Sequence, residues 1–441
     1  MDRTTLTVDL NTIAQNAKNI SKAITPSKIM AVVKANAYGL GVIPIVKRLD
    51  AEGFCHFAIS SAKEAIELRN HFPKIKIYQI GICFKEEVED LVKNQVTIGC
   101  SSGKMLSYIG QVAKKMRRPT AINWLIDTGM GRLGTPYNQW REEWKKMLPL
   151  LSENKYISLT GIYSHFSSSE RKNDAYTNSQ IKKFKTLRED FLENISKDIS
   201  QNFSALSDFS QDFPQDSFQN SPQNSFQNSP QDFSRNFSQD FSHDFSGNSP
   251  QNPPKNSSKQ ENSIKFHFCN SKGVINYPDQ HFDMVRCGIS IYGCNLCEDK
   301  PFVKTKVSYQ LFSHIIDIRT LPKGHAIGYN HLHRLAKTSR VATISAGFAD
   351  GIPMQLINQK AVIIRGEKVK VIGKVSMDYT AVLLPPHSKA KVGDKAIFLG
   401  QSGKEKICIE DWAKWKKTNV YEPLTIVGIR AKRLYFPGEN S

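Results

Sequence analysis

Short apolar runs recur along the first half of the chain, each followed by a segment whose apolar residues have helical spacing. Such brief, continuous runs are typical of strands that are buried on both faces of a parallel sheet. The predicted strands are Met30–Val33, Phe57–Ser60, Lys76–Ile80, Val96–Cys100, Ala121–Ile126, Ser158–Ser164 and Lys265–Cys269, with an eighth near Val285. Alternating strands and helices indicate an α/β architecture, and eight such units predict a TIM-like (β/α)8 barrel.

The pattern of residue types along the sequence changes after about residue 295. Runs of Val, Ile and Thr broken by Gly and Pro follow, at Ser339–Ser345, Lys360–Val375 and Lys395–Gly400. This pattern predicts a second, mostly β domain over residues 296–441. The barrel then comprises residues 1–200 and 262–295, about 235 residues and close to the roughly 250 that are typical of the fold.

Residues 201–261 consist almost entirely of Gln, Asn, Ser, Asp, Phe and Pro, with near-repeats such as SPQNSFQN. So few aliphatic residues cannot offset the entropy of ordering, which predicts a disordered insertion. The spacing of four between Phe233, Phe237, Phe241 and Phe245 would align them on a helix that binds a partner; a passive repeat expansion is the alternative. The insertion is expected at the amino-terminal rim of the barrel, and its deletion is expected to leave activity intact.

Composition narrows the class of protein. The net charge of +19 raises the question of nucleic-acid binding, but basic residues such as Lys182, Lys183, Lys185 and Arg188 are scattered along helices without a recognisable binding module. The amino-terminal segment lacks an apolar signal core, and no stretch approaches the roughly 18 apolar residues of a membrane span. We therefore expect a cytoplasmic protein without a nucleic-acid or membrane partner.

The eight cysteines predict free thiols, because a chain of this size without a secretory signal rarely depends on disulfides. Cys294 and Cys297 form a single CxxC pair. A structural zinc site requires a second pair, and Cys287 is badly spaced to contribute to one. No metal is expected.

Lys34 is the first candidate for chemistry, because it ends the apolar run IMAVV and precedes a turn that contains glycine. A helix is predicted at Val42–Leu49, so Lys34 lies at the carboxyl end of a barrel strand, where catalytic groups gather. A desolvated lysine loses its proton readily and can form a Schiff base or act as a base. On this local pattern alone, a snorkelling or ion-paired lysine is an equally good interpretation.

Six motifs together resemble the alanine racemases, a family that depends on pyridoxal 5'-phosphate. They are AVVKANAYGLG at 31–41, DTGMGRLG at 127–134, GIYSHF at 161–166, MVRCGISIYG at 284–293, GFADG at 347–351 and SMD at 376–378. Their order is that of the family, and the resemblance covers nearly the whole chain apart from the insertion. It implies racemisation of alanine, with D-alanine supplied for peptidoglycan. It also implies a homodimer in which the β domain helps to build the active site of the partner subunit.

The resemblance assigns roles to individual residues. Racemisation removes an α-proton from one face of the substrate carbon and returns a proton to the other, so two bases are needed. Lys34 matches the cofactor lysine and one base, and Tyr329 matches the second base, from the facing subunit. Arg286 matches an arginine that bonds the pyridine nitrogen of the cofactor. His267 matches a histidine that supports this arginine, and His165 matches one beside the cofactor ring.

The remaining assignments concern the phosphate and the substrate. Arg132 is expected near the substrate carboxylate, which a guanidinium fork fits well. Met377 and Asp378 are expected to close the pocket from the partner subunit. Cofactor binding is assigned further to Tyr38, Asn270, Ser271, Gly288 and Ile289, with hydroxyls and backbone N–H groups expected to hold the phosphate.

Three positions depart from the family pattern. Leu125 stands where many members carry a carbamylated lysine, Phe348 replaces the tyrosine of GYADG, and Ile429 occupies the place of a phosphate-binding tyrosine. These departures leave open a racemase of broader specificity or a β-eliminating lyase of the cystathionine type. A non-catalytic carrier of pyridoxal phosphate and a decarboxylase of related fold are further alternatives. Tyr329 and the second domain disfavour the carrier, and the motif around Arg286 fits the racemases better than the decarboxylases.

Overall fold

Eight parallel strands form a closed barrel. The computed structural model describes residues 2–170, 172, 174–203, 264–294 and 303–436, so the predicted insertion lies outside the described residues from 204 to 261. The barrel strands are β2 (Lys28–Val32), β3 (His56–Ile59), β4 (Lys76–Gln79), β5 (Val96–Cys100), β6 (Thr120–Asp127), β8 (Ile157–Tyr163), β9 (Lys265–Asn270) and β10 (Met284–Cys287). They are ordered β5-β4-β3-β2-β10-β9-β8-β6, and pairing of β5 with β6 closes the ring. The predicted barrel is confirmed.

One helix precedes the first barrel strand, and one helix follows each barrel strand from β2 to β9. They are α1 (Leu10–Ala23), α2 (Val42–Ala51), α3 (Ala62–His71), α4 (Val88–Lys93), α5 (Gly103–Met116), α6 (Trp140–Glu153), α7 (Ala175–Phe203) and α8 (Ser271–Asn276). Local sequence sets their starts: the Ser61 side chain accepts from the Glu64 backbone N–H and the Glu64 carboxylate reaches back, a capping box that begins α3. A short strand, β7 (Thr135–Pro136), pairs with β6 beside the barrel.

The second domain is a nine-stranded sheet in which every pairing but one is antiparallel. Its strands are β1 (Thr4–Asp9), β11 (Tyr309–Leu321), β14 (Ser339–Ile344), β15 (Val362–Ile364), β16 (Glu367–Val371), β17 (Thr380–Leu383), β18 (Lys395–Ser402), β19 (Glu405–Ile407) and β20 (Lys432–Phe436). A hairpin of β12 (Ala326–Ile327) and β13 (His333–Arg334) and the helices α9 (Ile409–Lys416) and α10 (Tyr421–Ile426) complete it. This is the mostly β domain that the sequence predicts.

The first strand lies in the second domain. Thr4–Asp9 pairs with β11 on one side and, in parallel, with β20 on the other. The sequence prediction assigned residues 1–200 to the barrel, whereas the barrel begins with α1 and β2. The alternating pattern of Leu6 and Val8 predicts a half-buried strand but does not indicate which sheet receives it.

A single apolar core extends across both domains. Leu6 and Val8 from β1 belong to the same buried cluster as Met30 on β2 and Trp412 on α9. The second domain is therefore fixed against the barrel by continuous packing. Within the described part of the chain, no helix combines the length and apolar character that a membrane crossing requires.

Candidate active site

Lys34 lies just beyond the carboxyl end of β2, at the start of a left-handed turn. Ala35, Asn36, Ala37 and Tyr38 have φ values of 53°, 54°, 52° and 55°, a conformation that residues other than glycine rarely adopt. Such backbone is retained only where surrounding contacts fix it. The Glu64 carboxylate accepts from the Ala35 N–H at 2.6 Å, and the Asn36 side chain accepts from the Val42 N–H at 2.8 Å.

The second domain covers this turn from the other side. Arg433 donates to the Gly39 carbonyl at 3.0 Å, and the Tyr435 hydroxyl donates to the Leu40 carbonyl at 3.2 Å. The rings of Tyr38 and Tyr421 lie 6.1 Å apart, centroid to centroid. The last strand and the last described helix thus hold the backbone that carries Lys34.

The Lys34 amine is prepared to lose its proton. Burial lowers its pKa, and the nearby charge of Arg132 lowers it further, whereas the Glu64 carboxylate acts in the opposite direction. No described residue forms a hydrogen bond or ion pair with the amine. An amine whose pKa is lowered, and which no described residue binds, can lose its proton and then bond an aldehyde carbon or act as a base.

Arg286 on β10 is the buried cation of the site. Its Nη1 donates to His267 Nδ1 at 2.6 Å and to the His267 carbonyl at 3.0 Å. Its Nη2 donates to the carbonyls of Ser164 at 2.6 Å and Phe268 at 3.0 Å, and lies 3.2 Å from His165 Nδ1. These contacts use the four terminal N–H groups. The fifth donor, on Nε, bonds to no other described residue and is left for a ligand.

The two histidines beside Arg286 are held neutral. Burial, and then the charge of Arg286, lower the pKa of His267 well below its ordinary value. The same causes, in the same order, lower the pKa of His165 to about 3. Burial also lowers the pKa of Arg286 itself to about 10, which leaves it charged at neutral pH. One fixed cation therefore faces the site, with neutral imidazoles around it.

A polar cradle lies at the ends of β9 and β10. The Ser271 hydroxyl is 3.0 Å from the Gly288 N–H and 3.1 Å from the Ser290 hydroxyl. A Cβ on Gly288 would lie 2.7 Å from the Tyr38 hydroxyl, so only glycine allows this close approach. Hydroxyls and backbone N–H groups gathered in this way suit a phosphate dianion.

The two other predicted residues of this cradle contribute less directly. The Asn270 side chain accepts from the Gly273 N–H at 2.8 Å and from the Ser169 hydroxyl at 3.0 Å. It therefore caps α8 and positions Ser271. Ile289 is fully buried, so its backbone is its only polar contribution.

Arg132 lies in a loop shaped by one carboxylate. Asp127 accepts from the backbone N–H groups of Gly129 at 2.9 Å and Gly131 at 3.0 Å. Arg132 is exposed and has no hydrogen bond to another described residue, yet its charge lowers the pKa of both Lys34 and His165. Its guanidinium is therefore close to the site and free to bind an anion. Leu125 is 6% exposed and supplies no polar atom to support it.

Tyr329 and Met377 lie elsewhere, on the surface of the second domain. Their side chains are 67% and 56% exposed, and the Tyr329 hydroxyl bonds to no described residue. Asp378 is held by Arg430 at 2.8 Å, which also binds the buried Asp350. A single chain therefore gathers Lys34, Tyr38, His165, Ser271, Arg286 and Gly288, but does not link Tyr329 or Met377 to them.

Several residues of the site were not predicted from the sequence. Glu64, Ser290 and Tyr421 touch the turn or the cradle, as do Arg433 and Tyr435. Glu64 had a local signal in the SAKE capping pattern. The described cysteines are free, and no group of three or more metal-ligating side chains occurs among the residues with assigned positions.

Comparisons with known families match both domains. The family described as "Alanine racemase, N-terminal domain" matches residues 8–231 and 255–296, and "Alanine racemase, C-terminal domain" matches residues 308–435. The chain is 28% identical to the alanine racemase of Methanococcus maripaludis, over 97% of each chain. It is also 28% identical to that of Clostridium perfringens, over 97% of this chain and 94% of the relative.

Solved structures share the fold. The alanine racemase of Clostridium difficile superposes with a TM-score of 0.78 at 24% identity, covering 99% of this chain and 96% of that one. The alanine racemase of Bartonella henselae, solved with covalently bound pyridoxal phosphate, superposes with a TM-score of 0.74 at 24% identity, covering 98% and 99%.

Proposed function

The chain belongs to the alanine racemase family, and we propose that its own residues carry out that reaction with Lys34 as one base and Tyr329 of a second copy as the other. Its function is accordingly the interconversion of L-alanine and D-alanine, an isomerase reaction. The observation that carries the assignment of the site is the unpartnered Lys34 amine, whose pKa burial lowers and which shares one cluster with Arg286 and the polar cradle.

The residues present fit pyridoxal 5'-phosphate. Arg286 Nε would donate to the ring nitrogen, and the cradle of Ser271, Gly288 and Tyr38 would hold the phosphate. The Lys34 amine would bond the aldehyde carbon. When bound, the cofactor supplies an electron sink for the substrate α-carbon. Because Arg286 keeps its proton at neutral pH, it offers the ring nitrogen a donor and not a free proton.

Separate residues transfer the protons and bind the substrate carboxylate. The Lys34 Nζ takes the α-proton on one face, and its lowered pKa favours the unprotonated form that this step requires. The Arg132 guanidinium binds the substrate carboxylate as a two-pronged donor. On the opposite face we assign the Tyr329 hydroxyl, which gives or accepts the second proton.

We propose a homodimer, and the position of Tyr329 supports it. Exposed apolar side chains share its region of the second domain: Phe348, Met377, Tyr379 and Ile429 are 43%, 56%, 45% and 65% exposed. The loops that carry them are joined by backbone bonds, as from the Phe348 N–H to the Ser376 carbonyl at 2.9 Å. Such a group of exposed apolar residues is typical of a protein interface. We propose that a second copy covers it and that each copy delivers Tyr329 to the Lys34 site of the other.

The test of the reaction is proton NMR of L-alanine and then L-serine in heavy water, with pyridoxal phosphate and chiral analysis of the products. Loss of the α-proton signal with D-product from alanine is expected, and Lys34→Ala should abolish it. Lys28→Ala, at the other end of β2, is the matched control. Turnover by Lys34→Ala would refute the assignment of Lys34. Exchange without inversion in Tyr329→Phe, with Tyr156→Phe unchanged, would support the two-base division.

The shared site has its own test. In co-expressed Lys34→Ala and Tyr329→Phe chains, each hybrid dimer holds one site with both substitutions and one intact site. Random pairing should restore about a quarter of the wild-type activity, from two variants that are inactive separately. If Lys34 and Tyr329 acted within one chain, mixing would restore nothing.

A further inference from the structure

The protonation of His267 is determined by its neighbours. The ring is fully buried and neutral, so it carries one N–H. Its Nδ1 lies 2.6 Å from Arg286 Nη1, and a guanidinium can only donate. Nδ1 must therefore be the acceptor, and the proton resides on Nε2.

Asn123 on β6 is the side chain that meets Nε2. It is 5% exposed, and its amide lies 3.2 Å from Nε2. An amide nitrogen at that place would face an N–H with its own hydrogens, so the amide must present its oxygen. Its nitrogen then faces the Thr160 hydroxyl, 3.1 Å from the other end of the amide. Thr160 can donate its own hydrogen to the Ile122 carbonyl at 3.3 Å, which leaves its oxygen free to accept from the amide.

The barrel is locally deformed to hold this amide. Along β6 and β8, Ile122 pairs with Leu159 but Asn123 pairs with Gly161, so Thr160 is the extra residue of a β-bulge. A Cβ on Gly161 would lie 2.6 Å from the amide atom of Asn123 that faces Thr160. The bulge brings the Thr160 hydroxyl to the amide, and glycine leaves the room for it. Bulges of this kind re-aim side chains beside functional sites.

We propose that Asn123 is a positioning residue for the reaction. By accepting from His267 Nε2–H, it fixes the imidazole so that the Nδ1 lone pair points at Arg286. Arg286 in turn keeps its Nε aimed at the cofactor ring. The sequence of contacts runs laterally through the barrel from β6 to β9 to β10, and Asn123 does not itself touch cofactor or substrate. Its catalytic consequence rests on the proposed function; the tautomer of His267 does not.

The tautomer is tested by nitrogen-15 NMR of histidine-labelled holoenzyme, with the His267 signals identified by their absence in His267→Gln. The expected result is a neutral ring protonated on Nε2 between about pH 5 and about pH 9. A ring protonated on Nδ1, or on both nitrogens, would overturn the proposal. Because the spectrum is read without turnover, failure of the racemase assignment would leave this result standing.

The role is tested by comparing Asn123→Asp with Asn123→Leu. The carboxylate of Asn123→Asp can still accept from Nε2–H, whereas the side chain of Asn123→Leu cannot. Arg286 keeps Nδ1 an acceptor in both variants, so the fall in kcat should be smaller in Asn123→Asp than in Asn123→Leu. Asn123→Leu should lower kcat about 10-fold with KM for alanine changed less than about 2-fold. Asn16→Leu removes another buried amide and should lower stability without this fall in kcat.

A packing role alone would make the aspartate and leucine variants alike in kcat, and that outcome would refute the proposal. If either variant fails to fold, Thr160→Val is the milder test. It preserves the volume and deletes the acceptor of the amide nitrogen. We expect kcat to fall about 3-fold at constant KM, and an unchanged kcat would contradict the proposed sequence of contacts.

Discussion

Gly288 determines how tightly the chain holds the cofactor phosphate, and Gly288→Ala measures this directly. The added Cβ would lie 2.7 Å from the Tyr38 hydroxyl and 3.0 Å from two carbons of its ring. The ring cannot retreat freely, because Tyr292 and Tyr421 pack against it at centroid distances of 5.6 and 6.1 Å. Either Tyr38 leaves the cradle or the Gly288 N–H moves away from Ser271.

In either case the cofactor phosphate, which is a charged group, loses one hydrogen-bond donor. A hydrogen bond to a charged group contributes about 1.5–3 kcal/mol, which corresponds to a dissociation constant for pyridoxal phosphate raised roughly 10- to 150-fold. Equilibrium dialysis of the cofactor measures this quantity. Gly103→Ala is the matched control, because its added Cβ would come no closer than 3.3 Å to any neighbouring atom, the nearest being the Lys146 Cβ.

A double-mutant cycle distinguishes displacement of Tyr38 from displacement of the Gly288 N–H. If the alanine methyl acts by displacing Tyr38, then Gly288→Ala combined with Tyr38→Phe should cost much less than the sum of the two single changes. Fully additive effects, or an affinity within about twofold of wild type for Gly288→Ala, would refute the reasoning.

Two further predictions follow from the described contacts. His165 and His267 have pKa values below those of the unfolded chain, so native stability is full above about pH 6.5 and falls as pH decreases, by up to about 1.4 kcal/mol per pH unit for each histidine. Urea unfolding of the cofactor-free chain at pH 7 and pH 5 should show the loss, and His267→Gln should reduce its slope. In Gly347→Ala, the new Cβ would lie 2.3 Å from the carbonyls of Ser376 and Met377, so the loop must shift. We expect KM for alanine to rise about 10-fold with a smaller change in kcat. An unchanged KM would show that Met377 does not contribute to substrate binding.

The barrel strands could be predicted from the sequence because each is a short apolar run with a clear end. Val96–Cys100 begins and ends where the pattern places it, and the other barrel strands differ by a residue or two. Lys34 was identifiable for the same reason, since a lone cation ends an apolar run. The motifs then supplied the residues that lie far from it in sequence.

The support of the site could not be predicted, because it depends on pairings between distant segments. Nothing local to Thr160 indicates a bulge, and nothing local to Arg433 indicates that it reaches the carbonyl of Gly39. The left-handed turn was also hidden, since Ala35 and Ala37 ordinarily favour a right-handed helix. Such conformations are imposed by tertiary contacts, which a periodic pattern does not encode.

The place of the first strand has a consequence for the order in which the protein is made. Thr4–Asp9 leaves the ribosome before its two sheet neighbours, which begin more than 300 and more than 400 residues later. Until β11 is made, both edges of this strand are open to pairing with other nascent chains, and until β20 is made one edge stays open. The turn that follows Lys34 also depends on β20, because Arg433 and Tyr435 donate hydrogen bonds to its backbone. A chain truncated before residue 430 would therefore carry a complete barrel, but one edge of Thr4–Asp9 would be unpaired and the turn that carries Lys34 would lack its support.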